Sequence, residues 1–95
     1  MGKYLIVIEK SKSGFSSYSP DVLGCIATGE TFDQTVTNMK SALEFHLQGL
    51  LEDGEEIPQP RGIESYLEAE RDSGDEEYYL THIVIQDILP ESIAA

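Results

Sequence analysis

Positive charge is scarce in this chain. Four lysines and two arginines stand against eighteen acidic residues, a formal net charge of −12 over 95 residues. A surface of that sign repels phosphate backbones and anionic headgroups. It argues against direct nucleic-acid or membrane binding, and for either a basic partner or a solvated acidic face that only keeps the domain soluble. Cysteine is nearly absent. Cys25 stands alone, which excludes an internal disulfide, and with no basic neighbour in sequence it reads as a small buried hydrophobe rather than a reactive thiol. No apolar stretch approaches the length of a membrane span. The first, Tyr4–Ile8, is too short for a secretory h-region and runs into Glu9 and Lys10. Ile6 stands where a myristoylation signal needs Ser or Thr. The cytoplasm is the expected compartment. No glycine-rich phosphate loop, internal repeat or His/Cys/Asp metal spacing is present, so no cofactor or metal is expected.

What is present describes one globular domain over residues 1–95, since 40% hydrophobic and 25% charged residues suit a packed core. The acids are unevenly placed. Residues 1–51 carry five acids and four lysines, a net −1, whereas residues 52–95 carry thirteen acids and two arginines, a net −11.

Tyr4–Ile8 is a continuous β-rich apolar run, the pattern of a strand covered on both faces. Turn composition at 10–14 leads to a second strand at Phe15–Ser19, Pro20-Asp21 breaks it, and Gly24–Thr28 reads as a third. Thr31-Phe32-Asp33-Gln34 is a capping box opening a helix to about Glu52, with Phe32, Val36, Met39, Leu43, Leu47 and Leu50 as the buried stripe and Gly54 as terminator. Ile57-Pro58-Gln59-Pro60 is an extended connector. Ile63–Arg71 suits a short second helix, and Tyr78–Ile88 a last long strand closed by Pro90. The expected fold is α+β, antiparallel, in the order β-β-β-α-(short α)-β with the main helix on one sheet face.

The motifs run in a fixed order: Ser19-Pro20-Asp21-Val22-Leu23-Gly24-Cys25, then Gly29-Glu30-Thr31, then Asn38, Ala42-Leu43 and Gly54, then Ile57-Pro58-Gln59-Pro60. Together they resemble the HicB-like antitoxin family, over about residues 3–89. The resemblance implies a partial ribonuclease-H-like fold and a small basic partner, a HicA-type RNA-cleaving toxin, with this chain as the neutralising half. Thr35 and Ser41 stand where the family usually has Ala and Glu, and read as ordinary helix-surface substitutions. Many family members append a DNA-binding module. Only Leu89–Ala95 follows the last strand here, so direct DNA binding by this chain is not expected. The motif residues Pro20, Asp21, Gly24, Cys25, Thr31, Asn38, Pro58 and Pro60 read as structural, with Asp21 closing an Asx turn and Gly24 supplying a conformation or close approach that a Cβ would block.

For partner binding, the stretch Glu64–Glu77 stands out. Glu68, Glu70, Asp72, Glu76 and Glu77 would steer a cationic partner, and Ile63, Tyr66 and Leu67 would anchor it. Self-association, as a homodimer or higher even oligomer through the apolar last strand, is the second expectation. Three other readings compete. A metal-dependent nuclease would need Glu9, Glu44 and Asp87 to converge. A metal site at His46 or His82 would need further ligands, so both read as packed or surface histidines. An RNA-associated domain would need Tyr4, Phe15, Tyr18, Tyr78 and Tyr79 to form a stacking platform, which so few cations disfavour. The expectation is a non-catalytic binding protein, with an orphan regulatory or RNA-associated domain of the same fold as the alternative.

Overall fold

The computed structural model describes residues 2–74 and 76–89. Its elements are β1 (Lys3–Ser11), β2 (Gly14–Ser19), β3 (Val22–Gly29), α1 (Phe32–Glu52), α2 (Ile63–Ser73), β4 (Tyr78–Val84) and a 3-10 helix (Ile85–Ile88). The strands form one antiparallel sheet in the order β3-β2-β1-β4, which places the apolar β1 inside with a neighbour on each side.

Side chains alternate along β1, and each set meets a different helix. Tyr4, Ile6 and Ile8 join Met39, Leu43 and Leu47 of α1 in the main core. Leu5 and Val7 point to the opposite face, where α2 lies against β1. The expected two-faced burial of this run is therefore met: all five side chains are at most 2% exposed. Each fully buried aliphatic side chain in such a layer contributes about 1.5–3 kcal/mol.

The ends of α1 are built as the sequence announces. Thr31 Oγ1 accepts from Gln34 N at 3.0 Å, while Gln34 Oε1 reaches back to the N–H of Glu30 at 2.7 Å. At the far end Gly54 has φ +75°, and the N–H groups of Gly54 and Glu55 donate to Leu51 and Leu50, closing the last turn in a Schellman arrangement. Asn38 Nδ2 donates to Thr28 O at 2.8 Å and stitches α1 to β3.

Three expectations need correction. Thr35 is not on the helix surface. It is fully buried, its hydroxyl donates to Thr31 O at 2.8 Å, and Gly29 packs so closely on it that a Cβ there would lie 2.6 Å from Thr35 Oγ1. The strand ending at Ile88 instead stops at Val84. Ile85 and Ile88 are both buried, and their spacing of three brings them to one side of a 3-10 turn, where a strand would send them to opposite faces. Asp21 closes no Asx turn: Ser19 Oγ accepts the Asp21 N–H at 3.2 Å, and the carboxylate serves residues far away in sequence. Pro90, the expected strand stop, lies outside the described residues.

Candidate partner-binding face

α2 is fastened to the sheet through Asp21. β2 ends before it can pair with Leu5, so the Leu5 N–H finds Asp21 Oδ2 at 2.9 Å instead. The other carboxylate oxygen accepts from the Arg61 N–H at 3.1 Å and from the Ser65 hydroxyl of α2. The Arg61 guanidinium lies 4.0 Å from Asp21, donates to Pro20 O at 2.7 Å and pairs with Glu68. One buried carboxylate thus joins β1, the β2–β3 turn, the connector and α2. On the other side of the sheet the connector is held by Tyr4, whose hydroxyl donates to Pro58 O at 2.7 Å. Burial, with Asp21 nearby, pushes that phenol up to about 12.

The helical period then decides what α2 shows. Ser65, Ala69 and Ser73 are buried against the sheet, which turns Ile63 and Leu67 outward at 73% and 53% exposure. Small side chains on the inner face let the helix sit close. Tyr66 leans over β4, its hydroxyl 2.6 Å from His82 Nε2 and its ring in tilted contact with the imidazole. Burial, then Lys3, hold the pKa of His82 below its ordinary value, which favours the neutral imidazole. Tyr18 comes up from β2 beneath α2. Its hydroxyl and that of Ser73 are buried without partners of hydrogen-bond geometry, and burial with Glu9 and Asp72 nearby raises the phenol.

The outer side of α2 is an open groove whose walls include Arg61, Glu64, Leu67, Glu70 and Arg71. The structure therefore brings Ile63, Leu67 and Glu70 to one exposed surface. Glu68 also lines the groove, paired there with Arg61, and Asp72 is exposed near Tyr18. Glu76 and Glu77 stand apart at the entrance to β4, with Glu77 accepting from the Tyr79 hydroxyl at 2.7 Å. Asp75, in the same acidic stretch, lies outside the described residues. Sequence reading missed Ser65 and Arg61, which fasten α2. It also missed Leu23 and Ile26, apolar side chains of β3 that are 80% and 71% exposed.

Other constellations do not assemble. Glu44 and Asp87 line one cleft with Ile88 and Leu89, but Glu9 follows the alternation of Leu5 and Val7 to the opposite sheet face. Among the described residues no three His, Cys, Asp or Glu groups converge for a metal. The aromatic residues divide between faces: Phe15, Phe32 and Tyr79 form an edge-to-face chain at 6.0 Å spacings on the α1 side, while Tyr18 lies under α2. Cys25 is buried in the main core, which raises its thiol pKa. Gly24 has φ +83° with open space around it, so conformation rather than close approach requires glycine there. No helix among the described residues is long and apolar enough to cross a membrane.

Comparison with known proteins places this architecture. A chain of a HicA3–HicB3 toxin–antitoxin complex superimposes with TM-score 0.69 at 30% identity, over 84% of this chain and 93% of that one. The HicB antitoxin of Burkholderia pseudomallei superimposes with TM-score 0.72 at 25% identity, over 95% of this chain and 68% of that one. A 14.9 kDa protein from the rep–hol intergenic region of Haemophilus phage HP1 is 44% identical over 64 residues, 67% of this chain but only 48% of the phage protein. The match thus spans about half the length of that relative. Fold and matches define the antitoxin class of bacterial toxin–antitoxin systems. The profile described as "HicB_like antitoxin of bacterial toxin-antitoxin system" matches residues 4–93, and the chain belongs to that family.

Proposed function

We propose that this chain acts in the cytoplasm as an antitoxin, binding and neutralising a small basic RNA-cleaving toxin of the HicA type without catalysis of its own. The observation that carries the proposal is the outer face of α2. Two outward apolar side chains, Ile63 and Leu67, stand among the carboxylates of Glu64 and Glu70 on a helix that a buried carboxylate holds in place. Apolar anchors ringed by charge are the pattern of an interface whose rim steers encounter and whose centre slows release. Carboxylates there would occupy positions that RNA phosphates take on a cationic ribonuclease.

The test is an RNA-cleavage assay with a HicA-type toxin, taken from any small basic open reading frame found beside this one. Stoichiometric addition of this protein is expected to stop cleavage, with an association rate that falls as salt rises. Cleavage continuing undiminished with excess protein present would refute the assignment. Magnesium- or manganese-dependent RNA cleavage by the purified chain itself, abolished by Glu9→Ala or Asp87→Ala, would overturn the non-catalytic reading.

A further inference from the structure

The edge strand β3 carries no charge. Val22–Gly29 contains no Asp, Glu, Lys or Arg, in a chain where 25% of residues are charged. Edge strands ordinarily use charge to stay unpartnered. Here the backbone is guarded in another way. The register with β2 shifts between Tyr18 and Ser19, and Gly24 at φ +83° breaks the extended run. That interruption also sets where the side chains go. Val22 and Cys25 both enter the main core, three residues apart. Leu23 and Ile26, each next in sequence to one of them, alternate to the opposite face, at 80% and 71% exposure. The register agrees, since Ile26 pairs with Tyr18 and Tyr18 with Val7, on the face that α2 occupies. α2 lies against β1 and leaves these two side chains uncovered.

One flank of α2 overlooks this strip. On one side of the helix Tyr66 leans over β4 to His82. On the other, Glu68 pairs with Arg61, whose guanidinium also donates to Pro20 O in the β2–β3 turn. Asp72, four residues on, lies near Tyr18 of β2. Glu64, four residues before Glu68, falls on the same side. The three carboxylates thus spread over about 12 Å of helix, at intervals of about 6 Å. Among the described residues Arg61 is the one cation paired with that row.

We infer that β3 and this flank of α2 form one docking surface for a basic, amphipathic segment of the toxin. Its apolar side covers Leu23 and Ile26, and its lysines or arginines follow the row of Glu64, Glu68 and Asp72. This rests on the antitoxin reading and carries that surface from the outer side of α2 round to the sheet edge. The row speeds encounter with a cationic partner, while the two aliphatic side chains, once covered, slow its release. A second copy of this chain is a poor occupant. It would bring a net charge of −12 against the same carboxylates, and the interrupted backbone of β3 offers it no ladder.

The test uses the full chain and a HicA-type toxin that it neutralises. Leu23→Ser with Ile26→Ser removes the apolar floor at exposed positions outside the main core. Calorimetry should show toxin affinity lowered by about tenfold or more, with the loss in the dissociation rate. In the wild-type complex the amide NMR signals of residues 23–28 should shift, a readout that does not depend on how the variant folds. Wild-type affinity in the folded double variant overturns the inference and leaves the antitoxin reading standing. Unshifted signals from 23–28 in a complex that forms do the same. Sedimentation in which the double variant loses self-association yet keeps its toxin affinity assigns the strip to a second copy and overturns it too. If the wild-type chain binds no HicA-type toxin, the antitoxin reading falls and this inference falls with it.

Discussion

On one face of the sheet α1 covers Tyr4, Ile6 and Ile8 with Met39, Leu43 and Leu47, a broad apolar layer. On the other, α2 covers Leu5 and Val7 with Ser65, Ala69 and Ser73, and a single carboxylate, Asp21, fastens it. The first arrangement draws on area and needs no particular partner for any one group. The second is directional. It holds a short helix close to the sheet while leaving its outer side free for charge and exposed apolar groups. The difference separates a face that stabilises through buried area from one that a few directed bonds hold in place while its outer side stays open.

The comparison can be broken at its strongest points first. Leu43→Ala should lower global stability by about 2–5 kcal/mol in denaturant melts, because a cavity opens in the apolar layer. Asp21→Ala should cost about 3–5 kcal/mol, since it strands the Leu5 and Arg61 N–H groups and the Ser65 hydroxyl, and α2 amides should lose exchange protection before those of α1. Equal loss of protection over both helices would show that the two faces are not separable. Thr31→Ala removes the cap of α1 and should cost about 1 kcal/mol. The smallest effect belongs to His82. Burial and Lys3 lower its pKa in the folded chain, so below 6.5 the unfolded chain takes up a proton that the folded chain refuses. Its contribution to stability is complete above 6.5, falls as pH drops through that value, and levels off below the lowered one. His82→Gln should therefore flatten the stability profile in that window. An unchanged slope would remove the Tyr66–His82 contact from the account of how α2 is held.

Much of the apolar half was legible in the sequence. The capping box at Thr31, the stripe from Phe32 to Leu50 and Gly54 as terminator are local signals, each within a few residues of its partner. α2 was legible for the same reason, its start at Ile63 read directly and its end two residues short of Ser73. The directional half was not. Asp21 meets groups 16, 40 and 44 residues away, and no periodicity announces such partners. Thr35 misled because a polar residue beside an apolar stripe is ordinarily solvated, whereas here its hydroxyl satisfies the helix's own first turn and Gly29 closes over it. Ile85 and Ile88 misled because β-branched residues after a strand look like more strand, although their spacing of three suits a 3-10 turn. The acidic stretch was visible as composition, but only the fold separates Glu64 and Glu70 on the groove from Glu76 and Glu77 at the β4 edge.

The central claim is that the outer face of α2 is where the toxin docks. It is tested most directly by reversing Glu64, Glu70 and Asp72 to Lys, which leaves Glu68 with Arg61 and the β4 edge untouched. These are exposed positions, so the fold should change by no more than about 0.5 kcal/mol. Calorimetric titration of the variant against a HicA-type toxin that the wild-type chain neutralises should show affinity reduced by at least about 100-fold, with neutralisation of RNA cleavage lost. Wild-type affinity in a folded variant would contradict the account and move the interface off α2.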